Sequence, residues 1–501
     1  MKQNTPIILV NSLNVVRGGL TKAVFTRANT LAEKFDKVYI FTFLYQQNFK
    51  QIIDTLYKTG LLNKKVEVLN LFEDFKPRNK MKRKIKHSVS EKGLVHFKDA
   101  KPDNPSYRYY KNGLYVKYKR FDKNGNLLFI DHMNESRHRV TREEYDLNGY
   151  LYRMRHMDFM LNKSRLDRYF DLKGNCYLTV WINPNNNKES RVVLFENEPK
   201  EYASMDALKK VWLERRLNKI SNPVVLVDNR PTDKLVQSLG NNVKKVAVIH
   251  NNHFKKPFDA SAEIRDEYID LLENQSSFHK IVCLTQEQKE DIEQKYGRND
   301  NIVVIPHPAM QVNQRTIKEI DSSFDPHLAV SLARYVSQKR LDEAIRAFKI
   351  VVQSIPKAKF YIYGFGKEKD KLVQIINELE LENNVKLKGF TADTTKIYKS
   401  AACSVLTSDF EGFGMVLTES LAAGTPVVSY NAKYGPSDIV RDGIDGFLVE
   451  RGNKEQLADR IIKIMNNRKV REELSENALQ VNRRFSVEKY AAQWTSLLKG
   501  L

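Results

Sequence analysis

Short β-branched runs alternate with amphipathic stretches along most of the chain, and this alternation limits the fold more than any other feature. The first run covers residues 7–11 and leads through a glycine-containing turn into a helical stretch over residues 20–35. A second apolar run follows at residues 38–44. A strand, a turn, a helix and a strand in this order form a βαβ unit, which builds a parallel sheet. The sequence predicts that the chain opens as a Rossmann-like α/β domain.

Further runs of this kind begin after residue 220, and they predict the rest of the domain organisation. They cover residues 223–228, 243–250, 280–285, 301–305, 327–332, 359–363, 385–388, 402–407 and 425–429. A polar stretch over residues 321–326 reads as the linker between two sets of strands. We predict two Rossmann-like domains that face a cleft, because open α/β sheets bind ligands at the carboxyl ends of their strands. The predicted boundaries are residues 1–75 with 220–320, residues 321–485, and a C-terminal helix over residues 486–501.

A different pattern interrupts the first of these domains. Residues 77–183 carry short aromatic runs separated by glycine turns, at Gly113, Gly125, Gly149 and Gly174. Asn-Gly between such runs favours a type I′ hairpin, in which both central residues need positive φ. The last three turns belong to similar segments whose glycines lie 24 and 25 residues apart, which indicates a repeat. The sequence predicts an inserted antiparallel β-meander within residues 76–219, which ends in a helix over residues 205–220.

Length and composition exclude several classes of protein. At 501 residues, with 41% apolar and 29% charged residues, the chain has the balance of a folded protein of two to four domains. No run approaches the ~20 apolar residues of a membrane span, and no secretion signal precedes the first strand. Three widely spaced cysteines offer neither a disulfide framework nor a metal-binding pair. We expect reduced thiols and a cytoplasmic protein.

The positive charge of the chain is concentrated in the predicted insertion. The formal net charge is +22, and residues 76–170 hold 24 Lys and Arg against 11 Asp and Glu. A local surplus of this size indicates a polyanionic partner, although the sign alone does not identify the polyanion. Nucleic acid is one alternative, because tyrosines and cations interleave over residues 107–119. Tyrosines at strand spacing also pack ordinary sheets, so the pattern by itself decides nothing.

The second predicted domain carries the residues with the clearest chemistry. Arg334 ends a strand and Lys339 stands just before a helix, an arrangement that suits a diphosphate. The alternative is that both cations are simply solvated. Farther along, Glu411 and Glu419 are eight residues apart. A glycine-containing turn follows Glu411, and a helix is predicted to begin near Met415. Two carboxylates placed in this way can address two hydroxyl-bearing parts of one ligand.

The run over residues 411–428 resembles the EX7E motif of retaining glycosyltransferases with the GT-B fold, specifically the large family four. The resemblance covers residues 1–75 and 220–490 and is strongest over residues 404–449, where Gly435-Pro436-Ser437-Asp438 and Asp442-Gly443-Ile444-Asp445-Gly446 also match. It implies the α/β fold predicted above. It also implies an enzyme that transfers a sugar from a nucleotide-sugar with retention of configuration.

The resemblance implies a role for each matching residue. Arg334 and Lys339 match the pair that holds the diphosphate, Glu411 the carboxylate that contacts sugar hydroxyls, and Glu419 the one that holds the ribose. His250 matches a histidine that faces the donor sugar near the reacting centre; alternatively it is a strand-end histidine satisfied by backbone hydrogen bonds. The remaining donor-binding residues implied are Gly18, Gly19, Gly389, Phe390, Thr391, Gly412, Phe413 and Gly414. No cofactor or metal is expected, because the two cations neutralise the diphosphate, and we favour front-face attack in which the leaving phosphate takes the acceptor proton.

Within this family, the insertion resembles that of bacterial enzymes that glycosylate wall teichoic acid. The resemblance implies a UDP-sugar donor, with UDP-glucose favoured over UDP-N-acetylglucosamine, and an anionic poly(glycerol-phosphate) or poly(ribitol-phosphate) acceptor. A serine-rich protein acceptor stays open, since a similar insertion occurs in enzymes that modify such adhesins. A homotrimer is implied, and peripheral association with the inner face of the membrane is left open. The candidate polymer-binding residues are Arg137, Arg139, Arg153 and Arg155.

Two alternatives compete with this interpretation. Nucleic acid is disfavoured, because the transferase motifs account for the rest of the chain. A catalytically silent GT-B protein that acts as a lectin-like or chaperone subunit should have lost the phosphate-binding pair or the first glutamate. Arg334, Lys339, Glu411 and Glu419 are all present, which favours the enzyme.

Overall fold

A computed structural model describes residues 3–15, 18–79, 83–100, 104–309, 324–391 and 393–501. These residues cluster into two compact units. The first unit draws on residues 1–17, 35–223 and 238–243, and the second unit on residues 18–34, 224–237 and 244–501.

The strands, in chain order, are β1 Thr5–Val10, β2 Val38–Thr42, β3 Val66–Asn70, β4 Val95–Lys98, β5 Ser106–Lys111, β6 Leu114–Phe121, β7 Leu127–Met133, β8 Arg139–Tyr145, β9 Leu151–Met157, β10 Ser164–Phe170, β11 Cys176–Ile182, β12 Glu189–Phe195, β13 Pro199–Tyr202, β14 Pro223–Val227, β15 Lys244–Val248, β16 Lys280–Cys283, β17 Ile302–Val304, β18 Asp325–Leu332, β19 Lys359–Tyr363, β20 Val385–Gly389, β21 Ala401–Leu406, β22 Val427–Tyr430 and β23 Gly446–Val449. The α-helices are α1 Gly19–Lys34, α2 Phe49–Lys58, α3 Leu71–Phe75, α4 Met205–Leu217, α5 Asp233–Gln237, α6 Asp266–Glu273, α7 Gln286–Tyr296, α8 Leu341–Ser354, α9 Lys369–Glu378, α10 Thr394–Lys399, α11 Met415–Ala422, α12 Pro436–Ile439, α13 Lys454–Asn466, α14 Arg468–Ala478, α15 Val481–Arg484 and α16 Val487–Lys499.

The first unit joins a small parallel array to a large antiparallel sheet. Strands β1, β2 and β3 pair in parallel, as the βαβ pattern predicts, and β2 is buried on both faces. Helix α4 packs beside them through Trp212, whose ring lies 5.2 Å from Phe41 and 5.9 Å from Phe43. Trp212 also donates a hydrogen bond of 2.6 Å to Asp74 of α3. Burial of these large rings supplies most of the local stabilisation.

The antiparallel sheet is the predicted insertion. Its ten strands, β4 to β13, follow one another across the sheet in chain order, which is the definition of a meander. The sheet extends beyond the predicted end of the aromatic pattern at residue 183, because β12 and β13 follow an asparagine-rich turn without glycine. In that turn Asn187 itself adopts positive φ, so no glycine signal marks it.

The glycine turns fall between strands as predicted, but only one of the four is of type I′. Asn112 and Gly113 both have positive φ, at 48° and 81°. In the three repeated turns only the glycine does, and the first residue of each turn is an aspartate. Asp122 Oδ1 accepts from the backbone N–H groups of Asn124 and Asn126 at 2.9 and 2.8 Å, and Asp146 and Asp171 repeat the pattern. The aspartate side chain therefore favours a longer turn over the two-residue type I′ form.

A segment over residues 83–92 crosses one face of this sheet and closes a small core. Val89 packs there against Phe121, Leu127 and Tyr145. The buried Tyr109 donates a hydrogen bond of 2.6 Å to the Val89 carbonyl. This tyrosine of the interleaved Tyr/Lys pattern packs the sheet, as an ordinary structural role predicts.

The second unit contains two parallel arrays. Strands β14 to β17 pair in succession, and six further strands form a parallel sheet in the order β20-β19-β18-β21-β22-β23. Helices α8, α9 and α13 pack on the six-stranded sheet around buried residues such as Phe348, Phe360 and Leu457. The predicted α/β class, with parallel sheets and an inserted antiparallel sheet, is confirmed.

Two details of the second unit differ from the sequence prediction. The predicted linker is wrong at Asp325 and Pro326, which begin β18; residues 321–323 lie outside the described residues. Proline is tolerated at the start of a strand or at an irregularity, and the pairing of β18 with β21 shifts register between Asp325 and Ala329. Strand β23, Gly446–Val449, was not predicted. No helix in the described ranges is long and apolar enough to cross a bilayer.

Candidate active site

The candidate donor-binding residues of the second unit lie in loops at the carboxyl ends of parallel strands. Arg334 follows β18, Gly389 ends β20, Glu411 follows β21 and His250 follows β15. The carboxyl ends of parallel strands meet at one edge of a sheet, where α/β proteins bind ligands. The strand order of the six-stranded sheet therefore places Arg334, Gly389 and Glu411 at one edge, whereas His250 follows a strand of the other array.

Lys339 and Glu411 meet directly. The Lys339 ammonium lies 2.5 Å from Oε1 of Glu411, and the hydroxyl of Ser408 donates to the same oxygen at 2.6 Å. Both charged side chains are largely shielded from solvent. A lysine ammonium has three N–H donors, so two remain for another acceptor. This cation stands next to the carboxylate that the motif assigns to the sugar.

The loop that carries Lys339 is fastened to the loop that carries Glu411. Gln338 receives a hydrogen bond from the Asp409 amide at 2.8 Å and donates one to the Phe410 carbonyl at 2.9 Å. Thr407 donates through its hydroxyl to the Lys339 carbonyl at 2.9 Å. The sequence analysis missed these residues, because no local motif marks them.

Arg334 differs from Lys339 in its surroundings. Its side chain is exposed, and it has no ion-pair partner among the residues that the structure describes. The adjacent loop after β19 approaches closely: a Cβ on Gly364 would lie 1.9 Å from the Ala333 carbonyl oxygen. Only glycine fits there. Two glycines directly after a strand, in Gly364-Phe365-Gly366, could have predicted this close contact between the two loops. The sequence analysis missed this signal.

Two exposed phenylalanines flank this edge of the sheet. Phe365 and Phe390 are 63% and 60% exposed, and their ring centroids lie 6.2 Å apart in an edge-to-face arrangement. Gly389 adopts positive φ at 74° and its carbonyl accepts from the Gly364 amide at 2.8 Å. Thr391 accepts a hydrogen bond from the Asp393 amide. The two aromatic faces are available to a planar ligand.

The segment Gly412-Phe413-Gly414 lies against the strand end at His250. A Cβ on Gly412 would lie 1.9 Å from the His250 carbonyl oxygen, so this position also requires glycine. Phe413 is buried. Gly414 has φ of 86° and precedes α11, which begins at Met415 as predicted.

Glu419, on α11, is paired with a lysine that the sequence analysis missed. The Lys22 ammonium lies 2.5 Å from Oε1 of Glu419, although 397 residues separate them. Lys22 belongs to α1, which begins at the Gly18-Gly19 loop, and a Cβ on Gly19 would lie 3.6 Å from the sulfur of Met415. The structure therefore brings the glycine loop to the start of the helix that carries Glu419.

His250 is held by a buried carboxylate. Its Nε2 is hydrogen-bonded to Oδ1 of Asp228, and Arg27 is paired with the other oxygen, Oδ2. Burial raises the pKa of Asp228, but Arg27 and His250 outweigh it, so the pKa is held below its usual range. Burial lowers the pKa of His250, against the opposing effect of Asp228. The ring is therefore neutral near pH 7, with its proton on Nε2 and the lone pair of Nδ1 free to accept.

His307 extends this buried cluster. Its ring is nearly parallel to that of His250, with centroids 5.6 Å apart, and lies edge-on to Phe413 at 5.5 Å. Burial, with His250 and Arg27 nearby, lowers the pKa of His307 to about 3. No sequence motif marked His307 or Asp228.

The four candidate polymer-binding arginines lie in the first unit and do not form one set. Arg153 contacts Glu144 at 2.6 Å and Asp167 at 3.6 Å, and Arg155 contacts Asp167 at 3.3 Å. These two arginines line a cavity of about 330 Å³ together with Lys209, Asp167 and Glu189. Its mixed charges leave no large positive excess.

The other two arginines stand at the neighbouring turn. Arg139 contacts Asp131 at 3.3 Å and donates to Asn162 Oδ1 at 2.9 Å. Arg137 is exposed in the turn between β7 and β8, with φ of 62°, and has no ion-pair partner within the described ranges. Only Arg137 of the four is an uncompensated surface charge.

No group of three His, Cys, Asp or Glu in the described part of the chain is arranged to hold a metal ion. The expectation that the site needs no metal stays a prediction.

Two sequence families match the chain. Residues 313–481 match the glycosyl transferases group 1 family, and residues 8–196 match glycosyl transferase 1 domain A. The second match includes most of the antiparallel sheet.

Individual relatives match over nearly the whole chain. A poly(glycerol-phosphate) alpha-glucosyltransferase of Bacillus subtilis is 30% identical over 96% of this chain and 73% of the relative. A poly(ribitol-phosphate) alpha-N-acetylglucosaminyltransferase of Staphylococcus aureus is 28% identical over 98% of both chains.

Solved structures agree with these matches. The crystal structure of TarM superposes with a TM-score of 0.87 at 28% identity, covering 99% of both chains. A mutant of S. aureus TarM, crystallised with Fondaparinux, alpha-GlcNAc-glycerol and UDP, superposes equally well at 27% identity, covering 99% of this chain and all of that one. The motif, the loop geometry and these matches agree: the chain belongs to the group 1 glycosyltransferases, in the family of the poly(polyol-phosphate) alpha-glycosyltransferases.

Proposed function

We propose that this glycosyltransferase moves a hexose from a UDP-sugar onto a poly(polyol-phosphate) wall teichoic acid, with retention of configuration, in a cleft between two Rossmann-like domains. The observation that carries the proposal is the meeting of Lys339 with Glu411, together with the unpaired Arg334 five residues before Lys339 in the segment that follows β18. UDP-glucose is the favoured donor, since the Bacillus relative is a glucosyltransferase. UDP-N-acetylglucosamine is the alternative, because the Staphylococcus relative is an N-acetylglucosaminyltransferase.

The donor is bound by charge at its centre and by hydrogen bonds at its ends. Arg334 and the two remaining donors of Lys339 neutralise the diphosphate, and no metal is needed for that purpose. Glu411 receives hydroxyls of the sugar, and Glu419 receives those of the ribose. Phe390, with Phe365 beside it, stacks on the base; Phe365 is an addition to the residues that the motif indicates.

The reaction proceeds by front-face attack, in which the departing phosphate takes the proton of the acceptor hydroxyl. Arg334 and Lys339 stabilise the charge that develops on this phosphate, and preorganised electrostatic contacts of this kind supply most of the rate. His250 acts as a neutral hydrogen-bond acceptor: Asp228 fixes its proton on Nε2, so Nδ1 accepts a hydrogen bond from a sugar hydroxyl. Glu411 orients the sugar and forms no covalent bond, unlike the nucleophile of retaining glycosidases.

The acceptor is an anionic polymer that the antiparallel sheet helps to hold. Exposed cations such as Arg137 contact successive phosphates, while Arg139, Arg153 and Arg155 contribute less because each already faces a carboxylate. A homotrimer and peripheral contact with the inner face of the membrane remain part of the proposal. Several chains in one assembly would multiply the contacts to one polymer.

A donor and acceptor screen tests the proposal. UDP release from UDP-glucose and from UDP-N-acetylglucosamine is measured with poly(glycerol-phosphate), poly(ribitol-phosphate), a serine-rich peptide or no acceptor. We expect release that depends on a polyol-phosphate polymer, and an α anomeric signal of the product by NMR. The Glu411→Gln variant serves as the inactive control.

Two outcomes would contradict the proposal. Binding of UDP-sugar without turnover on any acceptor would favour a silent GT-B subunit. Turnover with the serine-rich peptide and with neither polymer would indicate that the acceptor is a protein.

A further inference from the structure

One dipeptide holds the main chain of Glu411 from both sides. The Glu411 amide donates to the Lys433 carbonyl at 2.9 Å, and the Glu411 carbonyl accepts from the Tyr434 amide at 3.0 Å. The dipeptide belongs to the loop between β22 and α12. The next residue, Gly435, continues the approach, since a Cβ there would lie 1.8 Å from the Phe413 carbonyl oxygen. The backbone position of Glu411 therefore depends on where this loop lies.

Both side chains of the dipeptide contact the same carboxylate oxygen, Oδ2 of Asp291. The Tyr434 hydroxyl donates to Oδ2 of Asp291 at 2.7 Å, and the Lys433 ammonium lies 2.6 Å from the same oxygen. Asp291 is buried on α7, and Tyr434 is fully buried. A buried carboxylate that receives a charged and a neutral donor is strongly held in place, because losing either donor would leave it poorly solvated.

The segment after His250 braces the loop from the other side. The side-chain Nδ2 of Asn252 donates to the Lys433 carbonyl at 3.2 Å, so this carbonyl receives two hydrogen bonds. The ring of His253 lies parallel to that of Tyr434, with centroids 5.7 Å apart and a 4° angle between the planes. These contacts fix the plane of the tyrosine ring and so the direction of its hydroxyl towards Asp291.

We propose that Asp291 is a positioning residue for the sugar-binding carboxylate, acting on Glu411 through Lys433 and Tyr434. The inference rests on the proposed function, because it assigns the donor sugar to Glu411. Asp291 touches neither Glu411 nor any residue assigned to the diphosphate. The ammonium of the phosphate-binding Lys339 contacts Glu411, but the main chain of Lys339 is fastened by a different set of contacts, those of Gln338 and Thr407. Loss of Asp291 should therefore disturb recognition of the sugar and spare recognition of UDP.

The first experiment measures positioning directly and does not require activity. Hydrogen–deuterium exchange is followed in peptides that contain the Glu411 and Tyr434 amides, for wild type, Asp291→Asn and Tyr434→Phe. The control is Glu290→Gln, which makes the same change of charge at the exposed neighbour on α7. We expect exchange about tenfold faster at both amides in the two variants only. Unchanged exchange would overturn the proposal.

The second experiment separates sugar recognition from UDP recognition. Affinities for UDP and for the UDP-sugar are measured by calorimetry, and kcat and KM by UDP release. We expect Asp291→Asn to lower kcat about 10- to 100-fold, since a shift of about 1 Å costs ~100-fold, and Tyr434→Phe about 3- to 10-fold, with UDP affinity within twofold. Equal losses for UDP and UDP-sugar would overturn the proposal, as would normal kcat in both variants.

The two experiments distinguish this inference from the proposed function. If wild type binds UDP but no UDP-sugar, the proposed function fails. The exchange measurement still decides whether Asp291 fixes the position of the Glu411 backbone. If Asp291→Asn does not fold, Tyr434→Phe decides alone, because it keeps the ring that stacks on His253 and removes only the hydroxyl.

Discussion

The antiparallel sheet of the first unit and the donor site of the second unit are both rich in cations, but they use them differently. In the sheet, Arg142 lies directly opposite Asp131 and Arg155 directly opposite Asp167, and each pair is an ion pair. In the donor site, Arg334 has no carboxylate partner in the described part of the chain. A count of positive residues therefore overstates the charge that the sheet presents, whereas a single arginine at a strand end is fully available.

The difference follows from strand register. Antiparallel pairing places residues of neighbouring strands face to face, so an arginine and a carboxylate on opposite positions neutralise each other. Arg153 shows the same arrangement with Glu144. In loops at the ends of parallel strands the register fixes no partner: Lys339 is paired with Glu411, whereas Arg334 remains free to meet a ligand. The positive excess of the insertion is thus carried by cations that face no carboxylate among the described residues, such as Arg137 in its turn and Arg165 on β10.

The largest expected effect comes from removing a cation of the candidate donor site. Lys339→Met should lower kcat about 100- to 1,000-fold, equivalent to roughly 2–4 kcal/mol of lost transition-state stabilisation, because the proposed mechanism places its ammonium against the departing phosphate. UDP release under saturating UDP-sugar measures it. Lys357→Met, at an exposed position of the same unit, is the control. Turnover within threefold of wild type would remove Lys339 from the mechanism.

The second effect concerns stability in the sheet. Arg153→Met should lower the free energy of unfolding by about 2–3 kcal/mol, since its largely buried guanidinium compensates Glu144 and Asp167, and should leave donor kinetics unchanged. Urea unfolding measures the change. A double-mutant cycle with Glu144→Gln isolates the pair. A coupling near zero would mean that the pairs do not stabilise the sheet.

The third effect is the contribution of an arginine to UDP affinity, compared between the two regions. Arg334→Met should weaken UDP binding about tenfold, while Arg155→Met should leave it unchanged, because Arg155 is already paired. Calorimetry at two salt concentrations measures both, and the loss at Arg334 should shrink at high salt. If both variants weaken UDP binding equally, the contrast between the two regions is wrong.

The fourth effect is a dependence on pH that belongs to the second unit. His307 has a pKa of about 3 when folded, below the usual value of about 6.5 for an unfolded histidine. Its contribution to stability is therefore fully present above pH 6.5 and is lost as the pH falls towards 3, at up to about 1.4 kcal/mol per pH unit. Urea unfolding between pH 7 and pH 4 should show a shallower slope for His307→Asn. Equal slopes would mean that His307 is not buried as a neutral ring.

Much of the fold followed from local patterns. The βα alternation predicted the parallel arrays, and the 24- to 25-residue glycine repeat predicted the meander. The prediction was less reliable where the turn signal changed, because the asparagine-rich turn before β12 carries no glycine. The Asp-based turns were misassigned, because a side chain that bonds its own backbone alters the turn without altering the Asn-Gly signature.

The sequence by itself determined which residues form the donor motif and how strands and helices follow one another. Each of these depends on neighbours within a few residues, so spacing reveals it. Only the tertiary structure decided the pairing of Lys22 with Glu419, the fixing of His250 by Asp228 and Arg27, and the position of Asp291 behind Glu411. These contacts join residues up to 397 positions apart, and they exist because strand order brings loops together that share no local pattern.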